Sequence, residues 1–288
     1  NTRARTALAL THLATGKDTG YGELQSLAAS DSGTTADLAL ISVSLRRGDF
    51  DKALAAIAAL EKKQPDKPLA SNLRGRTLLA KKDVAGARKA FEQSLSLDPA
   101  YFPSVASLAA LDIGDKKLDV ARKRFEAVLA KNPQHPQALL ALAEMRAREG
   151  GPKTEVVELI NKAIAASPTE KLPRLLLIDL HLRSKDAKLA LSAAQTAVAA
   201  IPDSPELLDA LGRSQQASGD TNQALITFNK TAAMQPNSPV PHMRMAEVQM
   251  AAKDKSGAAQ SLRKALEAKP DHLDAQRGLI LLALDAKN

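Results

Sequence analysis

The sequence contains no cysteine and no tryptophan, and aromatic residues make up only 2% of its 288 positions. The absence of cysteine excludes disulfide bonds, thiolate catalysis and cysteine-ligated zinc or iron–sulfur centres within these residues. The scarcity of aromatic side chains argues against a surface that stacks nucleic-acid bases. No apolar run is long enough to span a bilayer. The core must therefore be built almost entirely from aliphatic side chains.

Catalytic motifs are also missing. The five histidines form no HExxH motif, and the chain has no GxSxG turn, no phosphate-binding glycine loop and no GxGxxG motif after a strand. His135 and His272 each follow a proline by two residues, which indicates equivalent turns rather than proton transfer. Asp112 and Asp115 lie beside a predicted turn, which favours solvation or helix capping. We therefore predict a non-enzymatic chain with no catalytic residue, no metal site and no cofactor.

The most informative feature is a regular series of prolines. Seven of them follow one another at intervals of 34, 34, 35, 34, 34 and 34 residues, and a period near 34 is typical of stacked helix–turn–helix units. They are Pro65, Pro99, Pro133, Pro168, Pro202, Pro236 and Pro270. Alanine stands twelve positions before six of the seven prolines, with Val156 in the other unit, and in most units a larger apolar residue stands eight before, as close helix packing requires.

Further residues keep the same period. Sixteen positions before five of the prolines stand aspartates suited to cap a helix: Asp49, Asp83, Asp186, Asp220 and Asp254. One unit carries the fullest set of repeated residues, which are Leu211, Gly212, Gly219, Asp220, Ala224, Phe228 and Pro236. This set resembles the signature of the tetratricopeptide repeat. The resemblance covers essentially the whole chain and implies an all-α fold, a right-handed α-solenoid of stacked antiparallel helix pairs.

The repeat predicts one continuous array. A degenerate helical pair occupies residues 1–33, and an orphan or capping helix occupies residues 273–288. Seven repeats lie between them, at 34–67, 68–101, 102–135, 136–170, 171–204, 205–238 and 239–272. The 35-residue interval places one extra residue in the turn at Gly150 to Pro152. Because Leu279 to Leu282 are apolar on more than one face, we expect this chain to be a fragment of a longer protein, or its last helix to pair with further repeats, another molecule or a second copy.

The charge is unevenly distributed. The chain has 40 basic and 32 acidic residues, a net charge of +8, and residues 51–150 hold 18 basic against 12 acidic residues. The densest basic run consists of Lys116, Lys117, Arg122, Lys123, Arg124 and Lys131. Two interpretations remain open for the basic region 51–150, a solvated helix face or a surface that binds an anionic polysaccharide. Nucleic acid is disfavoured because no aromatic residues alternate with the basic ones.

The family resemblance also implies a ligand-binding groove. In tetratricopeptide proteins the first helix of each repeat faces a concave groove, and the matching positions here supply the candidate partner-binding residues. They are Arg46, Asn72, Arg76, Leu140, Arg148, Leu175, Arg183, Arg213, Met243 and Met250. A bound peptide would place its apolar side chains on the leucines and its acids on the arginines. Alternatively, the leucines pack only on neighbouring helices and the arginines pair with Glu144, Asp179 and Glu206.

Two phrases suggest a narrower resemblance. Gly86 to Glu92 (GARKAFE) and Leu97 to Tyr101 (LDPAY) are similar to the repeat-rich lipoproteins of Gram-negative bacteria that accompany exosortase (PEP-CTERM) sorting and exopolysaccharide export. This resemblance implies a protein–protein interaction scaffold in the periplasm, anchored to the membrane through a lipidated segment upstream of Asn1. A cytoplasmic peptide-binding adaptor or regulator is the alternative, and direct binding of an anionic polysaccharide is a third possibility.

Overall fold

The computed structural model describes residues 1–17 and 19–285, and within these ranges it contains seventeen α-helices and no strand. The first eight are α1 (Thr2–Ala14), α2 (Thr19–Ser30), α3 (Thr35–Arg46), α4 (Phe50–Lys63), α5 (Pro68–Ala80), α6 (Val84–Leu97), α7 (Phe102–Gly114) and α8 (Leu118–Lys131). The next five are α9 (Pro136–Arg148), α10 (Lys153–Ala166), α11 (Lys171–Arg183), α12 (Ala187–Ala200) and α13 (Pro205–Ala217). The last four are α14 (Thr221–Met234), α15 (Val240–Ala251), α16 (Lys255–Ala268) and α17 (Leu273–Asp285).

The helices form two compact units, unit 1 (Asn1–Ala138) and unit 2 (from Leu139 onward), with the boundary inside α9. Each predicted repeat contains one first helix, with an odd number, and one second helix, with an even number. Residues 286–288 of the predicted orphan helix lie outside the described residues. The division into one continuous array with these repeat boundaries stays a prediction.

Tight turns join the two helices of each pair. Ser184 to Asp186 connect α11 and α12, whereas Glu149 to Pro152 connect α9 and α10 with one residue more. The extra residue therefore lies where the sequence predicted it. One residue of each turn has a left-handed backbone, and these residues are Gly16, Gly48, Lys82, Lys116, Gly150, Lys185, Gly219 and Lys253.

The predicted aspartate caps are only partly formed. All five aspartates occupy the N-cap position of a second helix, which confirms their placement. Asp83, Asp220 and Asp254 accept a hydrogen bond from a backbone N–H three residues later, at 2.8, 3.4 and 2.9 Å. The prediction of a capping bond is wrong for Asp49 and Asp186, which make none and instead pair with Lys52 and Lys153.

Packing within each repeat follows size complementarity. Phe91 of α6 fills the space left by Gly75 of α5, and Phe228 of α14 fills the space left by Gly212 of α13. In α11 the order is reversed, because the large Ile178 meets the small Ala194 of α12 in one buried cluster. A small residue on one helix and a large one on the other keep the helix separation constant while the core stays filled.

Asp112 was expected to be solvated or to cap a helix, and this prediction is wrong. Its side chain is 2% exposed and accepts hydrogen bonds from Arg88 and Arg124, both at 2.6 Å. Arg88 also bonds Asp115 at 3.0 Å. Burial opposes the charge of Asp112, but the two guanidinium groups outweigh it and lower the pKa of this carboxyl below its usual value. Asp112 thus joins α6, α7 and α8 through a buried ionic network.

No helix in residues 1–17 and 19–285 combines the length and the apolar character needed to cross a bilayer.

Candidate functional site: the first-helix faces

In unit 1, two predicted arginines lie on the surface of adjacent first helices, α3 and α5. The two helices share a buried cluster that includes Leu40, Ile41 and Ala70. Arg46 is exposed and donates a hydrogen bond to Ser42 Oγ at 3.2 Å. Arg76 is exposed as well, and among the described residues neither guanidinium has a carboxylate within ion-pair distance. Both charges are therefore available to a ligand.

Asn72 was predicted to contact a partner, but it lies inside unit 1. Its side chain is 2% exposed and donates to Ser104 Oγ at 3.0 Å. Ser104 donates in turn to Ser94 Oγ at 2.7 Å, and Ser94 donates to the carbonyl of Pro68 at 2.9 Å. This buried chain of hydrogen bonds joins α5, α6 and α7. A role for Asn72 in partner contact is incompatible with this placement, because reaching a ligand would leave buried polar groups unpaired.

The predicted apolar contacts in unit 2 mostly belong to its core. Leu140 and Leu175 are half-buried and pack against the clusters around Ile160 and Ile178. Met243 packs against the cluster that contains Leu262. Met250, by contrast, is 45% exposed. Packing within unit 2 therefore accounts for Leu140, Leu175 and Met243. For the two leucines this agrees with the alternative interpretation. Contact of these residues with a partner stays a prediction.

A ladder of alternating charges crosses the first helices of unit 2. Asp179 of α11 accepts a hydrogen bond from Arg213 of α13 at 2.8 Å, and Arg213 also pairs with Asp209 at 3.1 Å. Asp209 accepts from Arg244 of α15 at 3.1 Å, and Arg244 bonds Glu247 at 3.2 Å. The alternative interpretation from the sequence included Asp179 among the acids that pair with the predicted arginines, without naming its partner, and sequence reasoning missed Arg244. The sequence signal that could have identified this ladder is a pair of opposite charges about one repeat apart, as at Asp209 and Arg244.

The remaining predicted arginines of unit 2 also have partners within it. Arg148 pairs with Glu144 at 2.6 Å, and both side chains are more than 60% exposed. Arg183 donates to the backbone carbonyl of Asp179 at 3.3 Å.

The alternative interpretation paired Glu206 with an arginine, but Glu206 pairs instead with Lys171 at 2.9 Å. Hydrogen bonds from Lys171 and then Ser204 lower the pKa of Glu206 to about 2.

The basic run on and before α8 is partly neutralised. Arg124 bonds Asp112, Arg122 pairs with Asp119 at 3.0 Å, and Lys117 lies 3.6 Å from Asp115. The exposed cations that make no ion pair among the described residues are Lys116, Lys123 and Lys131. An acidic polymer would therefore meet about half of the charge that the sequence suggests.

His135 and His272 occupy equivalent turns, as predicted. The Nδ1 atom of His135 accepts a hydrogen bond from the Ala138 N–H at the start of α9, and that of His272 accepts from the Ala275 N–H at the start of α17, both at 3.3 Å. The part of the chain that the structure describes contains no group of three histidine, aspartate or glutamate side chains arranged to hold a metal ion.

Comparison with curated proteins finds a distant relative. Cellulose synthase operon protein C from Pseudomonas fluorescens (strain SBW25) is 27% identical over 163 residues. The match covers 54% of this chain but only 13% of the relative's length.

Solved structures share the fold at low identity. A chain of the APC/C hetero-tetramer Cut9–Hcn1 has a TM-score of 0.53 and 16% identity, over 92% of this chain and 52% of that chain. The C-terminal part of a repeat-containing protein from Cytophaga hutchinsonii has a TM-score of 0.59 and 15% identity, over 83% and 98% of the two chains. A protein from Parabacteroides merdae has a TM-score of 0.52 and 16% identity, over 91% and 98%.

Family assignment rests on two sequence models, each described as a tetratricopeptide repeat. One matches residues 38–102 and 106–171, and the other matches residues 215–280, so together they cover well over half of the chain. The helical structure and its structural neighbours agree with the α-solenoid fold class. The chain belongs to the tetratricopeptide repeat family, whose members engage in protein–protein interactions.

Proposed function

We propose that this chain is a non-catalytic scaffold that binds acidic segments of partner proteins on the first-helix face of unit 1. The observation that carries this proposal is the state of Arg46 and Arg76, which are exposed and have no carboxylate partner among the described residues. Arg148 and Arg213 of unit 2 are already neutralised by acids of their own unit. Arg183 of unit 2 is exposed and, within the part of the chain that the structure describes, bonds only a backbone carbonyl, so unit 2 presents one predicted arginine without an ion pair and unit 1 presents two on adjacent first helices. Unit 1 is therefore the stronger attractor for a negatively charged segment.

The chemistry of arginine supports this assignment. A guanidinium group offers several donors in a planar fork and holds a carboxylate through two parallel hydrogen bonds. The helices that carry Arg46 and Arg76 are fixed by a shared core, so a partner binds a surface that is already ordered. Exposed Leu38, about two helical turns before Arg46 on α3, offers an apolar contact on the same helix.

The test is a binding titration with a fluorescein-labelled peptide in which glutamate and leucine alternate. We expect the double variant Arg46→Glu/Arg76→Glu to weaken binding at least about tenfold, which corresponds to roughly 1.4 kcal/mol. The matched control is Lys89→Glu/Lys123→Glu, which reverses two exposed charges on second helices of the same unit. Equal losses in both variants would indicate only general electrostatic attraction, and no loss in the first would move the binding surface elsewhere.

For the cellular role, we propose a place in the envelope machinery for exopolysaccharide export or PEP-CTERM protein sorting. The name of the distant relative, cellulose synthase operon protein C, supports a link to exopolysaccharide, and the GARKAFE and LDPAY phrases support the lipoprotein resemblance. The proposal includes a periplasmic location with a lipidated anchor upstream of Asn1. A cytoplasmic adaptor or regulator is the competing proposal.

Fractionation of cells that express the full-length parent, combined with labelling by a clickable palmitate analogue, tests this location. Label in the membrane fraction that is lost when the candidate lipidated cysteine is replaced supports the envelope role. An unlabelled protein in the cytoplasmic fraction supports the adaptor.

A second candidate function is direct binding of an anionic polysaccharide by α8 and the turn before it. Exposed Lys116 and Lys123, which have no ion-pair partner among the described residues, favour it. Retention on an alginate column should fall with rising salt. It should also fall in the variant Lys116→Gln/Lys117→Gln/Lys123→Gln. Arg124 is left unchanged because it holds Asp112. Retention that is unchanged in this variant would reject the polysaccharide function.

A further inference from the structure

In several repeats, a polar residue near the end of the first helix forms a hydrogen bond with the residue twelve positions later, which lies on the second helix of the same repeat. In each of three repeats the two side chains lie within 2.7 Å of each other. The pairs are Asp112 with Arg124, Gln215 with Thr227 and Gln249 with Ser261. The repeat therefore provides an internal partner for a buried polar group at this position.

His181 of α11 occupies the same position, but it lacks that partner. The residue twelve positions later is Ala193, whose methyl group cannot form a hydrogen bond. His181 is only 7% exposed, and its Nδ1 atom has no hydrogen-bond partner among the described residues. The nearest carboxylate oxygen belongs to Asp186, 3.9 Å away, and Lys153 already engages that oxygen. His181 is thus a buried side chain whose Nδ1 atom makes no hydrogen bond among the described residues.

His181 lines a groove on the second-helix side of unit 2, between α10 and α12. The groove has a volume of about 820 Å³, and its walls include the apolar side chains of Val157, Ala165 and Leu189. Leu189 is 54% exposed even though it is a large apolar residue. Thr154 and Asn161 also line the groove, so it combines an apolar wall with a few neutral polar groups that include His181, which is the general character of a ligand site.

The charges around this groove cancel one another. Lys153 pairs with Asp186, and Lys162 pairs with Glu158 at 2.7 Å. A charged ligand would therefore gain no unpaired counter-charge here. The ligand best matched to the groove is neutral and mostly apolar, with a hydrogen-bonding group that can meet His181.

We propose that this groove binds a tyrosine side chain of a partner protein, with the ring against Val157 and Leu189 and the phenol hydroxyl bonded to the imidazole of His181. Tyrosine combines a large apolar body with a polar tip, and its hydroxyl usually finds a partner when it is buried. Burial and then the charge of Lys153 lower the pKa of His181, so the ring is neutral at pH 7 and offers a nitrogen lone pair to an O–H donor. This surface is separate from Arg46 and Arg76, and it does not depend on the function proposed for unit 1.

The test is an NMR titration of the histidine Cε1–H signals, with that of His181 assigned from its loss in the variant His181→Gln. The probes are N-acetyltyrosinamide and N-acetylphenylalaninamide, which differ only in the hydroxyl group. We expect the tyrosine probe to shift the His181 signal and to saturate, and the phenylalanine probe to bind about tenfold more weakly, as the loss of one hydrogen bond requires.

Two variants locate the binding. Leu189→Glu places a charge on the apolar wall and should abolish the shift of the His181 signal, whereas Ile226→Glu, which changes an equally exposed residue of α14, should leave it intact. Ala193→Ser supplies the missing internal partner and should weaken probe binding. The proposal is overturned if no saturable shift occurs, if both probes bind equally, or if Leu189→Glu and Ile226→Glu behave alike. Circular dichroism melts confirm that each variant is folded.

Discussion

Phe91 packs directly onto Gly75, so closely that a Cβ atom at residue 75 would lie 2.5 Å from the aromatic ring. Phe228 and Gly212 repeat this relationship at 2.4 Å. Both glycines lie within helices, where glycine normally weakens the backbone. They are required here for space, because the phenylalanine of the second helix occupies the volume that a side chain would need.

The first prediction concerns this close approach. Gly75→Ala should lower the free energy of unfolding by about 1–3 kcal/mol, since the added methyl group forces the Phe91 ring or the α5 backbone to shift. Chemical denaturation followed by circular dichroism measures the change. Gly22→Ala is the control, because nothing lies within 4 Å of a Cβ at that position, and it should stabilise α2 by about 0.5–1 kcal/mol. Equal effects of the two substitutions would contradict the packing argument.

The second prediction concerns the buried network of Asp112. Asp112→Asn removes the charge that balances Arg88 and Arg124, and it should destabilise unit 1 by about 3–5 kcal/mol. Urea unfolding of the variant is the measurement. The control is Asp119→Asn, because Asp119 is 82% exposed and pairs with Arg122 on the surface, where a change within about 0.5 kcal/mol is expected. A small effect at Asp112 would mean that water solvates this carboxylate.

The third prediction concerns the unpaired imidazole in α11. Ala193→Ser should raise the free energy of unfolding by about 1 kcal/mol, because the new hydroxyl provides the hydrogen bond that Thr227 provides to Gln215. The gain should disappear in the His181→Leu background. A double-mutant cycle measures the coupling between the two residues. If serine gave the same gain beside leucine, the effect would belong to residue 193 alone.

The fourth prediction concerns pH and Glu206. The folded protein holds the pKa of Glu206 at about 2, against an ordinary value of 4.5, through Lys171 and then Ser204. A lowered pKa means that the unfolded chain binds the proton first as the pH falls. The stability contributed by Glu206 is therefore fully present above pH 4.5 and is lost as the pH falls towards 2.

Thermal unfolding of the wild type and of Glu206→Gln between pH 6 and pH 2 measures this contribution. The variant should unfold at a lower temperature at pH 6, and the two midpoints should converge at the acid end. Glu267→Gln, which removes an exposed carboxylate of α16, serves as the control and should run parallel to the wild type. Parallel curves for Glu206→Gln as well would show that Lys171 does not stabilise the ionised form.

Individual contacts were less predictable than helix positions. The proline series and the aspartates placed the second helices and the longer turn correctly, but they could not show that Asp186 pairs with Lys153 instead of capping α12. Capping depends on a side-chain rotamer, and a nearby lysine from another repeat changes the preferred rotamer. Likewise, Asn72 occupies a position that faces ligands in the family, yet Ser104 on the next first helix draws it inside.

The sequence by itself determined the fold class, because a 34-residue period of small, large and turn-forming residues is typical of stacked helix pairs. Tertiary structure alone decided which charges remain free. Arg213 and Arg244 are paired because their helices bring Asp209 and Asp179 within reach, whereas Arg46 and Arg76 meet no carboxylate among the described residues. Periodicity records which helices are neighbours, but the pairing of side chains depends on distances of a few ångströms that no period encodes.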